Sequence, residues 1–307
     1  MRARHTWSTI ALTTVLVAGL NGIAHESIVS ATNNKDDSAA HYASIDVPGA
    51  TFTSAQGINA RGDIVGFYVQ AGVTHGYVLS EGTITTIDYP GALYTDARGI
   101  NAQGDVVGAY RMAGEPAVNF HGYLRNRHGE FSPVDFPGHT NTIPQRITST
   151  GLILGCRHDN DLMTTMRGIA MNGQDLTEFA EIGAFASMNN GATPDGELVV
   201  GLYTDMDTMT GRAYLLSGGT FIPFDVPGST FTAAWDVNPS GDVVGVYRDA
   251  AGFHGFLWAN LRFRAVDYPG ATTTRAFGIN SRGHIVGAYV DGNGRTHGFV
   301  ASRTEHD

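Results

Sequence analysis

The side chains best suited to acid–base chemistry are Asp96, Arg98 and Arg275, which fall at two neighbouring positions of a run that recurs along the chain. A carboxylate could move a proton, and a guanidinium could stabilise a developing negative charge. The sequence has no Gly-x-Ser-x-Gly, no His-Glu-x-x-His and no phosphate-binding glycine loop. Catalysis is therefore left open, with these three residues as candidates and no assigned reaction.

A recurring histidine at first suggests a metal site. The six copies of that position are His75, His121, Arg167, Arg212, His254 and His297. Arginine is a poor metal ligand and a good hydrogen-bond donor, so donation is the property that the copies share. A recurring aspartate supplies a matching acceptor, at Asp46, Asp88, Asp135, Asp225 and Asp267. We predict a structural donor–acceptor pair in each repeat and no metal there.

Two acidic loops are the remaining candidates for a metal. One holds Asp159 and Asp161, and the other holds Asp205 and Asp207. Closely spaced carboxylates can bind Ca²⁺ in a secreted protein, although neither loop has the full twelve-residue calcium-loop spacing. We therefore predict no cofactor and keep calcium as an alternative.

The elements that would position these residues are set by an internal repeat of about 44 residues. Ile45-Asp46-Val47-Pro48-Gly49 has four close copies and a decayed one at Ala180-Glu181-Ile182-Gly183, and Gly57–Gly66 also recurs in six copies. The first full copy divides into four short runs, Ser54–Asn59, Asp63–Val69, Thr74–Leu79 and Thr83–Tyr89. Asn59-Ala60-Arg61-Gly62 suits a hairpin, and Pro90-Gly91 suits a type II turn. Forty glycines and charged residues at 16% also favour short strands over long helices.

Four antiparallel strands in each repeat are typical of a propeller blade. Residues 42–47 match a fourth run that no first three runs precede, whereas the sixth copy stops after its third run. The sequence thus predicts an all-β fold, a six-bladed β-propeller of four-stranded antiparallel blades over residues 42–302. The N-terminal strand, residues 42–47, would close the ring by joining the last blade.

The unit Gly57-Ile58-Asn59-x-x-Gly62-x-Ile64-Val65-Gly66-x-Tyr68, followed by a His-small-aromatic tripeptide, resembles the bacterial extracellular repeats called HAF repeats. The match covers residues 42–302, and the tripeptide here reads His-Gly-Tyr or His-Gly-Phe, at His75, His121, His254 and His297. The resemblance implies an exported, propeller-like protein. It brings no catalytic residues with it.

Function is expected where the copies disagree at a fixed register. The first run is the candidate inner strand, and beside its nearly constant threonine (Thr53, Thr95, Thr142, Ser187, Thr232, Thr274) it presents a diversified face. We predict that this face binds a ligand at the mouth of a central channel, through Gln56, Asp96, Arg98, Gln145, Arg146, Asn190, Trp235, Asp236, Arg275 and Phe277. Charge, amides and aromatic rings together fit a polar ligand with an apolar face, such as a sugar.

The chain ends predict export. Residues 1–24 have the basic start, apolar core and small residues of a signal peptide, with cleavage as late as residue 31, followed by a disordered linker to residue 41 and a tail at 303–307. The lone Cys156 matches small apolar residues in other copies and is expected to be buried. A net charge of −10 argues against nucleic acid as a partner. We expect a secreted monomer, extracellular or periplasmic, without membrane attachment after cleavage.

Three functions remain open at this point. The first is a binding or scaffold module for a polar extracellular ligand, with carbohydrate or another surface polymer as the expected class. The second is an extracellular hydrolase or lyase with its active site at the channel. The third is a structural surface protein without a small ligand, whose contacts lie on loops such as Met112–Phe120. One fold hosts many functions, so fold reasoning does not choose among them.

Overall fold

The structure, a computed structural model, describes residues 40–159, 165–173, 175–179 and 184–303 of the chain. All 25 of its regular elements are β-strands, which confirms the predicted all-β class. The predicted signal peptide, most of the linker, Ala180–Gly183 and residues 304–307 lie outside the described residues. In the part of the chain that is described, no helix is long and apolar enough to cross a membrane.

The strands fall into six groups, each corresponding to one sequence repeat. The first group is β2 (Phe52–Ile58), β3 (Ile64–Gln70), β4 (Val73–Ser80) and β5 (Thr83–Ile87). The second is β6 (Ala92–Thr95) with β7 (Gly99–Ile100), β8 (Val106–Met112), β9 (His121–Arg125) and β10 (Phe131–Pro133). The third is β11 (Asn141–Ile147), β12 (Ile153–His158), β13 (Arg167–Asn172) and β14 (Asp175–Phe179). The fourth is β15 (Ala184–Ala192), β16 (Leu198–Asp205), β17 (Gly211–Ser217) and β18 (Thr220–Phe224). The fifth is β19 (Phe231–Val237), β20 (Val243–Arg248), β21 (Phe253–Ala259) and β22 (Arg262–Val266). The last is β23 (Thr273–Ile279), β24 (Ile285–Val290), β25 (Thr296–Arg303) and, from the start of the described chain, β1 (Ala40–Ile45).

Within each group the strands pair antiparallel in chain order, as the repeat predicts. The last group takes its fourth strand from β1, which pairs antiparallel with β25 from Ala40 opposite Arg303 to Ile45 opposite Gly298. Single parallel residue pairs, Phe52 with Thr296 and Thr74 with Tyr94, link this group and the first two into one 13-stranded sheet. The third, fourth and fifth groups are separate four-stranded sheets.

Both predicted turns are confirmed. Gly62 has φ 98°, and the Oδ1 atom of Asn59 accepts hydrogen bonds from the backbone N–H groups of Arg61, Gly62 and Asp63 at 3.0–3.1 Å. Gly49 and Gly91 have φ near 80°, the left-handed value that a type II turn requires at this position. The constant threonine is buried in every group and explains the second turn, because its Oγ1 atom accepts a backbone N–H from that turn, as Thr95 does from Tyr89 at 3.0 Å.

The first strands are not plain alternating strands, which corrects the simple two-faced expectation. In five groups the register with the second strand shifts by one residue at the same place. The skipped residues are Gln56, Gln145, Asn190, Trp235 and Phe277. A β-bulge leaves its extra residue unpaired and re-aims its side chain, and a pattern of apolar and polar residues does not reveal this. One of the variable positions of the repeat is therefore a bulge.

In five groups the core is an aromatic ring packed on a glycine of the neighbouring strand, and in the third group Ile169 lies opposite Gly155 instead. Tyr77, Tyr123, Tyr214, Phe256 and Phe299 are almost completely buried and lie opposite glycines of the second strands. A Cβ atom at Gly66 would lie 2.9 Å from the Tyr77 ring and 2.0 Å from the Ser54 carbonyl oxygen. Only glycine fits there, which accounts for the recurring Val-Gly of the repeat.

The predicted donor–acceptor pairs are confirmed wherever both partners are described. The Nδ1 atom of His75 lies 2.9 Å from Asp88, that of His254 lies 3.0 Å from Asp267, and that of His297 lies 2.7 Å from Asp46. Two further pairs are His121 with Asp135 and Arg212 with Asp225. Each pair joins the start of a third strand to the end of a fourth, so these histidines are scaffold residues.

Candidate functional site

The first strands carry the variable residues, and they lie against one another. β2 contacts β7 and β23, β11 contacts β7 and β15, and β19 contacts β15 and β23. We call the end of these strands that holds the Asn59-type hairpins the turn end. The opposite end, with the Pro-Gly turns and the loops between second and third strands, is the loop end.

A cavity of about 200 Å³ opens at the loop end, between the first and last groups. Three of the predicted ligand-binding residues line it, namely Gln56, Arg275 and Phe277. Ser54, Phe52, Phe67 and Tyr289 also line it. The cavity thus combines one cation, an amide, several hydroxyl groups and four aromatic rings, a mixture that suits a polar ligand with an apolar face.

Arg275 is the exposed cation of this cavity. Its guanidinium carbon lies 5.0 Å from the centre of the Phe253 ring, a cation–π distance. Among the described residues it has no acidic partner and no side-chain hydrogen bond. Beside it, the Nε2 atom of Gln56 donates to the Oγ atom of Ser54 at 2.7 Å, which leaves the Gln56 carbonyl oxygen and the Ser54 hydroxyl proton for a ligand.

Asp96 and Arg98 form a closed network in the second group. Arg98 donates to Oδ2 of Asp96 from Nε at 2.9 Å, and its second nitrogen lies 2.7 Å from the same oxygen. Tyr94 also donates to Oδ2 at 2.8 Å, and the N–H of Ala109 donates to Oδ1 at 2.8 Å. Burial raises the pKa of Tyr94, and the adjacent Asp96 carboxylate adds to that increase. Both Asp96 oxygens are occupied, so this carboxylate is not arranged as a free base.

Gln145 extends this network, and Arg275 stands apart from it. The Oε1 atom of Gln145 accepts a hydrogen bond from Arg98 at 3.3 Å. No hydrogen bond or ion pair among the described residues joins Arg275 to Asp96 or Arg98. The three candidate catalytic residues are therefore divided between a closed ion pair and a separate cavity.

Asn190 and Trp235 each contact a residue of the next group. Asn190 is buried, and its amide donates to the Ala234 carbonyl at 2.8 Å, which links the fourth group to the fifth. The half-buried Trp235 meets the Phe277 ring edge-on, with centroids 5.0 Å apart. Trp235 thus supports one wall of the loop-end cavity without lining it.

Arg146 and Asp236, which replace a glycine found in the other repeats, form a buried ion pair deep between the strands. Their charged groups lie 3.0 Å apart, with side chains 7% and 5% exposed. Arg146 also donates to the Phe277 carbonyl at 3.2 Å, and Asp236 accepts the N–H of Ile279 at 3.0 Å. Burial raises the pKa of Asp236 to about 6, against the opposing effect of the Arg146 guanidinium. The pair joins the third, fifth and last groups at one point.

The turn end is held by hydrogen bonds between successive groups. Asn59 donates to the Asn101 carbonyl at 3.2 Å, and Asn280 donates to the Asn59 carbonyl at 3.2 Å, across 221 residues of sequence. Asn101 reaches the Thr148 carbonyl at 3.4 Å, and Ser149 reaches that of Pro194 at 2.7 Å. A smaller cavity of about 90 Å³ lies between these turns, with Arg146 and Asp236 in its wall.

In the two acidic loops, the carboxylates of Asp159 and Asp205 already accept backbone hydrogen bonds. Asp205 accepts the N–H groups of Asp207 and Thr208 at 3.1 and 2.9 Å, and these bonds lower its pKa. Asp159 accepts the N–H of Thr140 at 3.1 Å, which lowers its pKa in the same way. Asp161 lies outside the described residues. Within the described residues, no three His, Cys, Asp or Glu side chains converge as a metal site requires.

Cys156 is buried, as predicted. The residue is only 1% exposed, and burial raises the pKa of its thiol to about 12. A thiol that stays protonated at neutral pH is a packing group and a poor nucleophile.

Sequence reasoning missed the aromatic residues behind the site. Phe67 and Phe52 stack with ring centroids 5.4 Å apart, and Phe253 lies under Arg275. The other repeats have smaller residues at the position of Phe67, namely Ala109, Cys156, Leu202, Val246 and Ala288. The large ring at this one position was the sequence signal that could have identified Phe67 as part of the site. Phe253 lies on a third strand, and no pattern along the chain connects it to the first strand of the next repeat.

Three solved structures are similar in fold. TolB from Acinetobacter baumannii matches 81% of this chain with a TM-score of 0.51 and 12% identity, and the match spans 54% of the length of that protein. The β-propeller domain of the Trilobed protease from Pyrococcus furiosus matches with a TM-score of 0.52 and 9% identity, covering 84% of this chain and 96% of that domain. A gluconolactonase from Xanthomonas campestris matches with a TM-score of 0.50 and 12% identity, covering 82% and 87% of the two chains.

No family model and no curated protein matches the sequence. At identities of 9–12% the structural likenesses concern the fold alone. Together with the four-stranded antiparallel groups, they support a β-propeller fold.

Proposed function

We propose that this protein is an exported binding module that recognises a polar extracellular ligand of the carbohydrate class at the loop end of its first strands. One observation carries the proposal. The loop-end cavity is lined by side chains that differ between repeats, and it combines an unpaired cation, an amide and a hydroxyl with aromatic walls.

The architecture that we propose for this module is a closed six-bladed ring. Its support is the pairing of β1 with β25, which gives the last group its fourth strand. Further support comes from the contact between β2 and β23 and from the Asn280–Asn59 hydrogen bond, both of which join the last group to the first. Export rests on the N-terminal segment and on the resemblance to HAF repeats.

The test is a glycan array probed with the full chain, with a cavity variant and with a matched control. Gln56→Ala combined with Phe277→Ala removes one polar and one apolar wall of the cavity. Asp96→Asn keeps the shape of the neighbouring network and removes its charge. We expect the array signal to fall at least tenfold in the double variant and to persist in Asp96→Asn. Binding to no glycan by the wild-type chain would refute the carbohydrate class.

A hydrolase or lyase is the second candidate, and a gluconolactonase among the structural neighbours is compatible with it. Asp96 and Arg98 would then have to exchange their mutual contacts for contacts with substrate. Turnover of a lactone or glycan that is lost in Asp96→Asn would favour this candidate. Loss of partner binding only on shortening of the loop at residues 112–120 would favour a structural surface protein instead.

A further inference from the structure

The first strands carry three arginines, and two of them already have a carboxylate. Arg98 is paired with Asp96 at 2.7 Å, and Arg146 is paired with Asp236 at 3.0 Å. Arg146 and Asp236 lie on the first strands β11 and β19, whereas Asp96 and Arg98 lie between β6 and β7. Arg275, the third, has no acidic partner among the described residues and makes only the cation–π contact with Phe253.

The position of Arg275 makes the missing partner a ligand group. Arg275 is exposed and lines the loop-end cavity, whereas the other two arginines point into closed contacts. The planar guanidinium fork matches a carboxylate with two parallel hydrogen bonds, and contact with Phe253 holds the fork in place without consuming its N–H groups. The Ser54 hydroxyl and the Gln56 carbonyl are on the same cavity wall and suit the hydroxyl groups of a sugar ring.

The size of the cavity limits the ligand. At about 200 Å³ it is smaller than the sites of drug-sized ligands, which run to roughly 300–1,000 Å³. It therefore admits a single ring. Phe277 and Phe67 offer that ring two apolar faces.

We infer that the cavity binds a single acidic sugar ring, with the carboxylate of the ring taken by Arg275. This inference rests on the proposed function and names its ligand class. The shared chemistry is a uronic acid, which could arrive as a free monosaccharide or as the end residue of an acidic polysaccharide.

The experiment measures binding of the full chain to glucuronate, to galacturonate and to their neutral counterparts glucose and galactose, by titration calorimetry at low salt. The methyl ester of glucuronic acid tests the charge alone, because it keeps the ring and removes the anion. Tetragalacturonate separates the two sources: tighter binding than the monosaccharide indicates a polymer end, and weaker binding indicates the free acid.

Arg275→Gln is the test variant, and Arg248→Gln is its matched control. Arg248 lies over the same Phe253 ring at 5.5 Å and does not line the cavity. We expect Arg275→Gln to weaken glucuronate binding about tenfold or more, the scale of a hydrogen bond to a charged group, and to change glucose binding less than twofold. Arg248→Gln should change both less than twofold.

The outcomes separate this inference from the proposed function. Equal binding of acidic and neutral sugars by the wild-type chain would overturn the inference and leave the proposed function standing. Equal losses in Arg275→Gln and Arg248→Gln would also overturn it, because the effect would then come from the general positive charge of the rim. Failure to bind any sugar, acidic or neutral, would refute both.

Discussion

The two ends of the first strands differ in what their side chains do. At the turn end, four repeats have asparagine at the hairpin position (Asn59, Asn101, Asn238, Asn280) and two have threonine (Thr148, Thr193), and all six are buried. Several of them donate or accept across to the next group. Toward the loop end, five of the first strands have a bulge, and the bulged residue differs in nearly all of them.

The two ends therefore differ in how freely their residues can vary. A buried amide that satisfies several backbone groups is costly to change, so the turn end tolerates little variation. A bulge residue has no ladder partner, and its side chain can change without disturbing the sheet. The Arg146–Asp236 pair lies between the two ends and replaces a glycine that the other four repeats keep.

Removal of Asp236 should have the largest effect on stability. In Asp236→Ala the Arg146 guanidinium stays buried without its counter-charge, and we expect a loss of about 3 kcal/mol in the free energy of unfolding near pH 7.5. Urea unfolding measures it. The double variant Arg146→Gly with Asp236→Gly restores the residue of the other repeats and should be no less stable than Asp236→Ala alone. A loss below about 1 kcal/mol in Asp236→Ala would show that the pair contributes little to assembly and would group it with the variable positions.

Asn59→Ala should have the next largest effect, because it tests the turn end directly. The substitution removes the acceptor of three backbone N–H groups and the donor to the Asn101 carbonyl. We expect a loss of about 2 kcal/mol in the free energy of unfolding, again from urea titration. Asn59→Asp keeps the acceptor and should recover part of that loss. No change in Asn59→Ala would remove the distinction between the two ends.

Gln56→Ala is the loop-end counterpart on the same strand. Gln56 is 7% exposed, nearly as buried as Asn59 at 4%, but its single side-chain bond goes to Ser54. We expect its free energy of unfolding to fall by less than about 1 kcal/mol, which is the net value of one hydrogen bond. A cost equal to that of Asn59→Ala would show that bulge residues also carry the assembly.

The smallest effect should be a pH dependence at the loop-end surface. Burial lowers the pKa of His121, but hydrogen bonds and charge attraction from Asp135 and Glu115 outweigh it, so the pKa is raised. A raised pKa in the folded state means that this stabilisation is complete below about pH 6.5 and is lost as the pH rises through the folded pKa. We expect His121→Gln to cost about 0.5 kcal/mol at pH 6 and less at pH 8, since the imidazole is 30% exposed. His75→Gln, whose histidine has one carboxylate partner, Asp88, is the matched substitution.

The sequence alone predicted the all-β class, the four-stranded groups, both turn types and the histidine–aspartate pairs. These features are local or repeated, so one copy's spacing and turn chemistry are checked by five others. The small apolar residues at the matching position of other repeats also predicted the burial of Cys156. Six blades and a closed ring stay predictions, drawn from the repeat count and the displaced N-terminal strand.

Only the tertiary structure decided how the variable residues are distributed. The sequence does not distinguish the three arginines of the first strands. In the structure Arg98 forms a closed network with Asp96, Arg146 forms a buried ion pair with Asp236, and Arg275 lies exposed over the Phe253 ring. The bulge turns Gln56 and Phe277 toward one cavity, and Phe253 reaches Arg275 from another repeat. Repetition along the chain fixes what all copies share, whereas contacts between different copies depend on packing that no single copy encodes.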